Sequence, residues 1–381
     1  MSDLATMRTD VIGSLLRPER LKQTRHRFDA GEADDAELRA VEDECIREAV
    51  ALQQDSGLEV VTDGEFRRLN FQDSFGACVE GFRSVAARIE TLENQSRHGK
   101  ALQRWDVHRD VEAGVPVWHR LPAAERLRLA RNLPLDEYRH VSGVARVPAK
   151  VTLIGPDRIS QRFDHENSRA VYPTVDDFLA DVVAIEKTMV ASLVEAGCRY
   201  VQIDAPGYTA YVDEPSLEAM RQRGEDPDAN LERSIASDNR ILEAFGDAVS
   251  GIHLCRGNQR SMWHREGSYD AVAERLFGGL KHRRLLLEYD SERAGGFEPL
   301  RFVPKGTVVV LGLVSTKVPE LESVDELKRR IDDAARFLPL EQLAISPQCG
   351  FSSDVVGNLI TPDDQKRKLE RVVETAWQVW G

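Results

Sequence analysis

The sequence predicts an α/β protein of the (βα)8 class, a TIM barrel. From residue 150 onward, short apolar runs alternate with longer segments whose apolar residues recur every three to four positions. This alternation is typical of βαβ units around a parallel sheet. Counting the whole chain gives roughly eight strand–helix units, the number in a TIM barrel. A doubly wound sheet is the alternative, but no GxGxxG fingerprint follows a predicted strand.

The elements are predicted in the following order. In the first part we expect strands over 9–14 and 58–65, with a helix over 34–57 between them. Six further strands are predicted, over 150–156, 199–206, 249–255, 283–290, 306–316 and 342–350. Helices are predicted over 175–197, 228–246, 269–279, 324–338 and 363–380. The polar stretch from about 85 to 148, rich in arginine and histidine, breaks this alternation. We therefore expect one domain over 1–381 that carries this stretch as an insertion on the early strands.

Composition narrows the class of protein. The formal net charge of −13 argues against a broad nucleic-acid or anionic-membrane surface, since both partners need a basic face. No apolar run reaches about 18 residues and no secretion signal is apparent, so we expect a soluble protein. The cysteines are odd in number and widely spread: Cys45, Cys78, Cys198, Cys255 and Cys349. Free thiols of this kind indicate a reducing, cytoplasmic location.

The stretch GIHLCRGN, residues 251–258, carries the first chemical signal. Side chains alternate along a strand, so His253 and Cys255 point the same way while Leu254 points to the other side. The pair lies where a predicted barrel strand ends, which is where barrel enzymes place their chemistry. Imidazole and thiolate groups that share one space are zinc ligands. The alternative is a buried cysteine beside a hydrogen-bonded core histidine.

Two other strand ends strengthen the metal interpretation. LLLEYD brings Glu288 to the end of an unbroken apolar run, and AISPQCG brings Cys349 to the end of the last strand. An uncompensated charge at the end of a buried strand is costly, so Glu288 needs a partner. Together with His253 and Cys255, these residues could give one tetrahedral ion N, S, O and S ligands.

Motifs along nearly the whole chain resemble the cobalamin-independent methionine synthase family. They are GSLLRP, VTDGEFRR, QIDAP, HLCRGN, LLLEYD and SPQCGF, in this order, and they match the catalytic C-terminal half of the long enzymes. The resemblance implies that His253, Cys255, Glu288 and Cys349 hold Zn²⁺, which binds the homocysteine thiolate. Coordination by zinc deprotonates a thiol, and the thiolate is the nucleophile.

The resemblance also implies a substrate site. Asp204 of QIDAP and Glu65 of TDGEF are the expected catalytic carboxylates that contact the substrate amino group, and Ser14 is expected to contact its carboxylate. Each could instead be a turn residue or part of a salt bridge. Of the adjacent Arg67 and Arg68, we expect Arg67 to pair with an anionic group of the substrate, the alternative being a solvated surface pair.

Two positions depart from the family pattern. Ala205 stands where the family usually has glutamate, and Ser315 stands where methionine synthases carry a histidine proposed to act in proton transfer. The thiol side of the reaction therefore matches the family, while the donor side and the handling of protons differ. Within the 85–148 stretch, Trp105 or Trp118 could stack on a flat donor or could simply anchor the insertion.

The leading hypothesis is a zinc-dependent S-methyltransferase that moves a methyl group to homocysteine. The donor would be a folate or a methylated corrinoid protein. The alternative is a thiol transferase that opens an epoxide or another electrophile, similar to epoxyalkane:coenzyme M transferases. A metal-free decarboxylase barrel leaves Cys255 and Cys349 unexplained. A zinc-storage protein would favour four non-labile ligands at local spacing.

Overall fold

A computed structural model of the chain describes residue 4 and residues 6–83, 101–104 and 121–381. Its strands are β1 (Val79–Phe82), β2 (Ala123–Leu129), β3 (Lys150–Ile154), β4 (Tyr200–Asp204), β5 (Val249–Leu254), β6 (Arg284–Glu288), β7 (Val308–Val314) and β8 (Leu343–Pro347). Strands β3 to β8 form a parallel sheet in chain order, and β1 pairs antiparallel with β2. Apolar residues on both faces of the parallel strands bury them against surrounding helices, as expected for a TIM barrel.

The first two predicted strands close the ring without forming long ladders. Thr9 makes a single parallel bridge with Ile345 of β8, and Val61 makes one with Ala149, just before β3. The segments around Thr9 and Val61 are joined to each other through a side chain. Glu59 Oε2 accepts a hydrogen bond from Thr9 N at 2.9 Å. The TIM-barrel prediction is confirmed, and its first two strands are shorter than expected.

The helices surround this ring. They are α1 (Glu19–Asp29), α2 (Asp35–Asp55), α3 (Asp73–Gly76), α4 (Leu133–Val144), α5 (Pro156–Ser160), α6 (His165–Ser168), α7 (Val175–Glu195), α8 (Glu214–Gln222), α9 (Pro227–Ile241), α10 (Ala273–Gly279), α11 (Val324–Ala334) and α12 (Pro362–Trp380). The long helices α7 and α12 begin at capping boxes, Thr174 with Asp177 and Thr361 with Asp364. These pairs satisfy backbone donors that a helix start leaves open. No helix among the described residues could span a membrane.

The stretch predicted as an insertion is partly described. Helix α4 buries Leu133, Tyr138 and Val141 and packs against α2, α7 and β3. The C-terminal part of the 85–148 stretch therefore belongs to the outer helix layer of the barrel. Trp105 and Trp118 lie outside the described residues, so the role expected for them stays a prediction.

Candidate metal centre

Three of the four predicted metal ligands meet at the carboxyl ends of the strands. One ligand atom from each of His253, Cys255 and Cys349 lies within 4.8 Å of the others, and all three residues are buried. His253 is in β5, Cys255 follows that strand directly, and Cys349 lies two residues beyond the end of β8. Parallel strands end at one edge of the barrel, so residues distant in sequence converge there.

The histidine presents a free nitrogen to this cluster. His253 Nδ1 lies 3.2 Å from the carbonyl oxygen of Leu286, which fixes the tautomer with the proton on Nδ1. Its Nε2 is buried and has no hydrogen-bond partner among the described residues. A buried nitrogen lone pair without a donor is costly in an apolar interior. A metal ion bound at Nε2 would satisfy it, and the bond from Nδ1 to a backbone carbonyl is typical of metal-ligating histidines.

The two sulfurs differ in acidity. The hydrogen bond from Cys349, which outweighs the effect of burial, and the proximity of His253 hold the pKa of the Cys255 thiol well below its usual range. The same sulfur–sulfur hydrogen bond, together with burial, raises the pKa of Cys349. The lowered pKa favours the thiolate form of Cys255. One imidazole and two sulfurs within ligand distance are a donor set that suits zinc.

Glu288, the fourth predicted ligand, lies beside this cluster but outside it. Its Oε2 accepts a hydrogen bond from Arg256 N at 2.5 Å, and its Oε1 is 3.4 Å from the guanidinium of Arg293. Burial raises the pKa of Glu288, and the charge of Lys317 partly opposes this. These partners at the end of β6 offset the free-energy cost of burying the carboxylate.

Asp204 adjoins the cluster through the sheet register. Strands β4 and β5 pair Asp204 with His253, and Asp204 Oδ1 accepts a hydrogen bond from Gln202 Nε2 at 2.6 Å. Burial raises the pKa of Asp204 to about 7; the charge of His253 lowers it and that of Glu65 raises it. Two carboxylates that influence each other in a buried site provide an attractive place for a cation such as an ammonium group.

Glu65 has a strained backbone and a held carboxylate. Its φ of 59° is unusual for a residue other than glycine, and such strain is concentrated at functional sites. Oε1 accepts a hydrogen bond from Thr152 Oγ1 at 2.8 Å, while the buried Oε2 has no partner among the described residues. A Cβ on Gly13 would lie 2.5 Å from Oε1, so a glycine is needed there to admit the carboxylate.

Ser14 lies against the loop that carries Cys349. Its Oγ accepts a hydrogen bond from Ser352 N at 3.3 Å, and a Cβ on Gly350 would overlap that Oγ. The close approach explains the glycine of the PQCGF motif. It places Ser14 next to the residue that follows a predicted metal ligand.

The two adjacent arginines diverge. Arg67 pairs with Glu42 at 2.9 Å and Asp43 at 2.5 Å, both on helix α2. The guanidinium of Arg67 is held by these two carboxylates and is not directed to the predicted substrate site. Arg68 instead binds Glu137 through two nitrogens, at 2.9 and 2.6 Å, and lies 3.7 Å from Glu65.

Sequence reasoning missed one further group near the cluster, the ammonium group of Lys317. Lys317 is fully buried, and its Nζ donates to the carbonyl of Gly257 at 2.8 Å and to Asn258 Oδ1 at 3.0 Å. A lysine directly after a buried strand was the available signal, because buried ammonium groups need partners. Ser315, at the position of the expected histidine, donates to Asp290 Oδ2 at 2.8 Å.

The fold and the site define a TIM-barrel protein with a histidine–cysteine–cysteine cluster at its catalytic end. The sequence matches the family described as "Cobalamin-independent synthase, Catalytic domain" over residues 7–115 and 287–362. It is 35% identical to the uncharacterized protein YxjH of Bacillus subtilis, over 99% of this chain and 95% of that protein. It is 24% identical to a methionine synthase of Pyrococcus abyssi, over 92% of this chain and 87% of that protein. The chain belongs to the cobalamin-independent methionine synthase family.

Solved structures show the same fold. A putative vitamin-B12-independent methionine synthase from Listeria monocytogenes superposes with a TM-score of 0.74 at 24% identity, covering 100% of both chains. A B12-independent methionine synthase from Shewanella sp. W3-18-1, in complex with selenomethionine, gives a TM-score of 0.70 at 16% identity, covering 98% of this chain and 97% of that one.

Proposed function

We propose that the protein is a zinc-dependent transferase that converts a thiol to a thiolate and alkylates it, by methyl transfer to homocysteine to give methionine. The observation that carries the proposal is the convergence of His253, Cys255 and Cys349 at the barrel end where TIM-barrel enzymes work. Family membership supports methyl transfer as the reaction, and several relatives of this chain are methionine synthases.

The residues present fit a zinc ion. His253 offers an unpartnered Nε2 and Cys255 a low-pKa thiol, while Cys349 completes the trio. Zinc bound there would supply Lewis acidity that turns a coordinated substrate thiol into a thiolate at neutral pH. Glu288 is the proposed fourth, labile ligand. When a substrate sulfur takes its place, the carboxylate would be held by its hydrogen bonds with Arg256 N and Arg293.

The chain's own residues would orient the acceptor. Asp204 and Glu65 are proposed to bind the substrate ammonium, and Ser14 its carboxylate. Asp204 is in register with His253, and Ser14 lies against Gly350, which follows Cys349. Each of the two carboxylates keeps one oxygen without a donor among the described residues. Holding the sulfur in line with the methyl group converts a bimolecular step into an effectively unimolecular one. The sulfur–carbon bond then forms, and the electron pair of the broken bond leaves with the donor, a methylfolate or a methylated corrinoid protein.

The alternative reaction, addition of a thiol to an epoxide, keeps one supporting observation. Ser315 replaces the expected histidine and binds Asp290, so a proton donor of the family type is absent at that position. Arg67 and Arg68 do not support this alternative, because both are engaged by carboxylates within the chain.

Zinc-edge X-ray absorption with and without homocysteine tests the proposal. We expect two sulfur ligands in the resting protein and three with homocysteine. Two sulfurs that do not change with homocysteine would redirect the work to other thiols and electrophiles. Absence of zinc from the purified protein, or of sulfur around it, would overturn the proposal.

A further inference from the structure

The barrel interior beneath Asp204 is polar, whereas TIM-barrel interiors are dominated by branched aliphatic side chains. Alternation along β4 places Tyr200, Gln202 and Asp204 on one face, and Lys150 of β3 is in register with Tyr200. Lys150 is 2% exposed and Gln202 is 0% exposed. A buried ammonium group therefore lies in the core directly below the candidate site, and it needs acceptors.

All three N–H donors of the Lys150 ammonium group make hydrogen bonds. Its Nζ donates to Asp10 Oδ1 at 2.7 Å, to Gln202 Oε1 at 2.7 Å and to the carbonyl oxygen of Val11. An ammonium group carries three donors and no acceptor. The side chain of Gln202 must therefore present its oxygen to Lys150.

That requirement fixes the other end of the glutamine. With Oε1 facing Lys150, the Gln202 amide nitrogen donates to the carbonyl oxygen of Ile12 at 2.8 Å and to Asp204 Oδ1 at 2.6 Å. Rotating the amide by half a turn would set its NH₂ against the ammonium and its oxygen against the carboxylate. Both contacts would then be repulsive, so Lys150 selects the orientation of Gln202.

The chain of hydrogen bonds ends on a carboxylate with one oxygen held. An aspartate carboxylate otherwise rotates over a broad range about its terminal torsion. In this structure Gln202 holds Oδ1, and no described residue donates a hydrogen bond to Asp204 Oδ2. Asp204 is in register with His253 of the metal cluster, so the remaining oxygen is available to a donor bound beside that cluster.

We propose that Lys150 and Gln202 are positioning residues that set the direction in which Asp204 meets the substrate ammonium group, so that disturbing them weakens the discrimination between a thiol with an amino group and one without. This inference rests on the proposed function. Neither residue touches the substrate; both act through Asp204. A carboxylate with one oxygen held offers the other as a charge-assisted acceptor in a defined direction, which strengthens one contact and favours one class of substrate.

The test uses the zinc-loaded full chain and titration calorimetry with two ligands, homocysteine and desamino-homocysteine, which lacks only the amino group. Gln202→Met keeps the length of the side chain and removes its three hydrogen bonds, to Lys150, Ile12 and Asp204. We expect it to weaken homocysteine binding about tenfold, or about 1.4 kcal/mol, and to leave binding of the desamino analogue unchanged. Tyr200→Phe is the matched control. It removes a buried hydroxyl that bonds Asp10 at 2.7 Å, on the same face of the same strand, and should keep the preference for homocysteine.

Gln202→Glu provides a second variant that retains the acceptor for Lys150 but offers no amide donor to Asp204. It should also lose the preference for homocysteine. If both Gln202 variants bind zinc and keep the wild-type preference, the positioning role is wrong while thiol activation stands. If the wild-type protein binds both ligands equally, amine recognition is wrong and the inference falls with it. If the zinc-loaded wild-type protein binds neither thiol, the proposed function itself fails.

Discussion

Arg256 and Glu288 are joined by two hydrogen bonds across neighbouring strand ends. Arg256 N donates to Glu288 Oε2 at 2.5 Å, and its guanidinium Nη1 donates to the carbonyl oxygen of Glu288 at 3.0 Å. Because Arg256 follows Cys255 directly, the carboxylate is tied to the loop that carries a proposed metal ligand. The second partner of the carboxylate is the guanidinium of Arg293, at 3.4 Å. Unlike the backbone N–H of Arg256, this donor can be removed by substitution.

Arg293→Met should therefore shift Glu288 toward the metal. Without the cation that would receive the displaced carboxylate, Glu288 should stay on the metal. The zinc-edge spectrum of the variant should therefore keep its oxygen ligand when homocysteine is added, whereas that of the wild-type protein should lose it. Homocysteine binding, measured by titration calorimetry, should weaken about tenfold, since the thiolate must displace a better ligand. Arg104→Met is the matched control, because Arg104 also lies over the Trp263 ring, at 5.4 Å against 5.3 Å for Arg293. Loss of the oxygen ligand with homocysteine in Arg293→Met, as in the wild-type protein, would contradict the role of Arg293 as a competing partner.

Cys255→Ser and Cys349→Ser should each lose zinc and methyl transfer while remaining folded. The barrel has its own extensive apolar core, so the metal is expected to serve chemistry rather than folding. Metal analysis and circular dichroism separate the two effects. Cys198→Ala, a buried cysteine outside the cluster, should keep full zinc content. Unfolding of the wild-type protein after zinc removal would point to a structural metal instead.

Arg68 and Glu137 should behave as a buried ion pair. Both side chains are almost fully buried, and their nearest N–O contact is 2.6 Å. Arg68→Met would leave the Glu137 carboxylate uncompensated, so we expect the free energy of unfolding to fall by about 3–5 kcal/mol. Adding Glu137→Gln should recover part of that loss. Denaturant unfolding of the two single variants and the double variant measures the coupling, and purely additive losses would contradict direct pairing.

His282 should make the protein less stable in acid. Burial lowers the pKa of His282 to about 3, against 6.5 for the ordinary side chain, with a small opposing contribution from the Gly251 backbone. Between these pH values the unfolded chain binds a proton that the folded chain does not. The free energy of unfolding therefore rises with pH across this window, by up to about 1.4 kcal/mol per pH unit. This contribution of His282 is lost as the pH falls.

Comparing denaturant unfolding at several pH values between 4 and 6 for the wild-type protein and His282→Leu isolates this contribution. The variant should have a shallower pH dependence by close to one proton, whatever its absolute stability. Equal slopes in the two proteins would show that His282 is protonated in the folded state.

The sequence by itself determined the barrel and the ends of its strands. Apolar alternation is a local property, so it located six strands of the parallel sheet and placed His253 and Cys255 on one face of β5. Residues at the carboxyl ends of parallel strands must converge, and the same reasoning therefore brought Cys349 to the cluster from almost a hundred residues away.

Only the tertiary structure decided how the charges pair. Arg67 and Arg68 are neighbours in sequence, yet one binds helix α2 and the other binds Glu137 across the barrel wall. Lys150 reaches Gln202, fifty-two residues away, and Glu288 meets Arg256 and Arg293. Periodicity depends on nearest neighbours along the chain. The partner of a buried charge depends instead on which distant acceptor the packed barrel places within hydrogen-bond distance, and sequence spacing does not encode that distance.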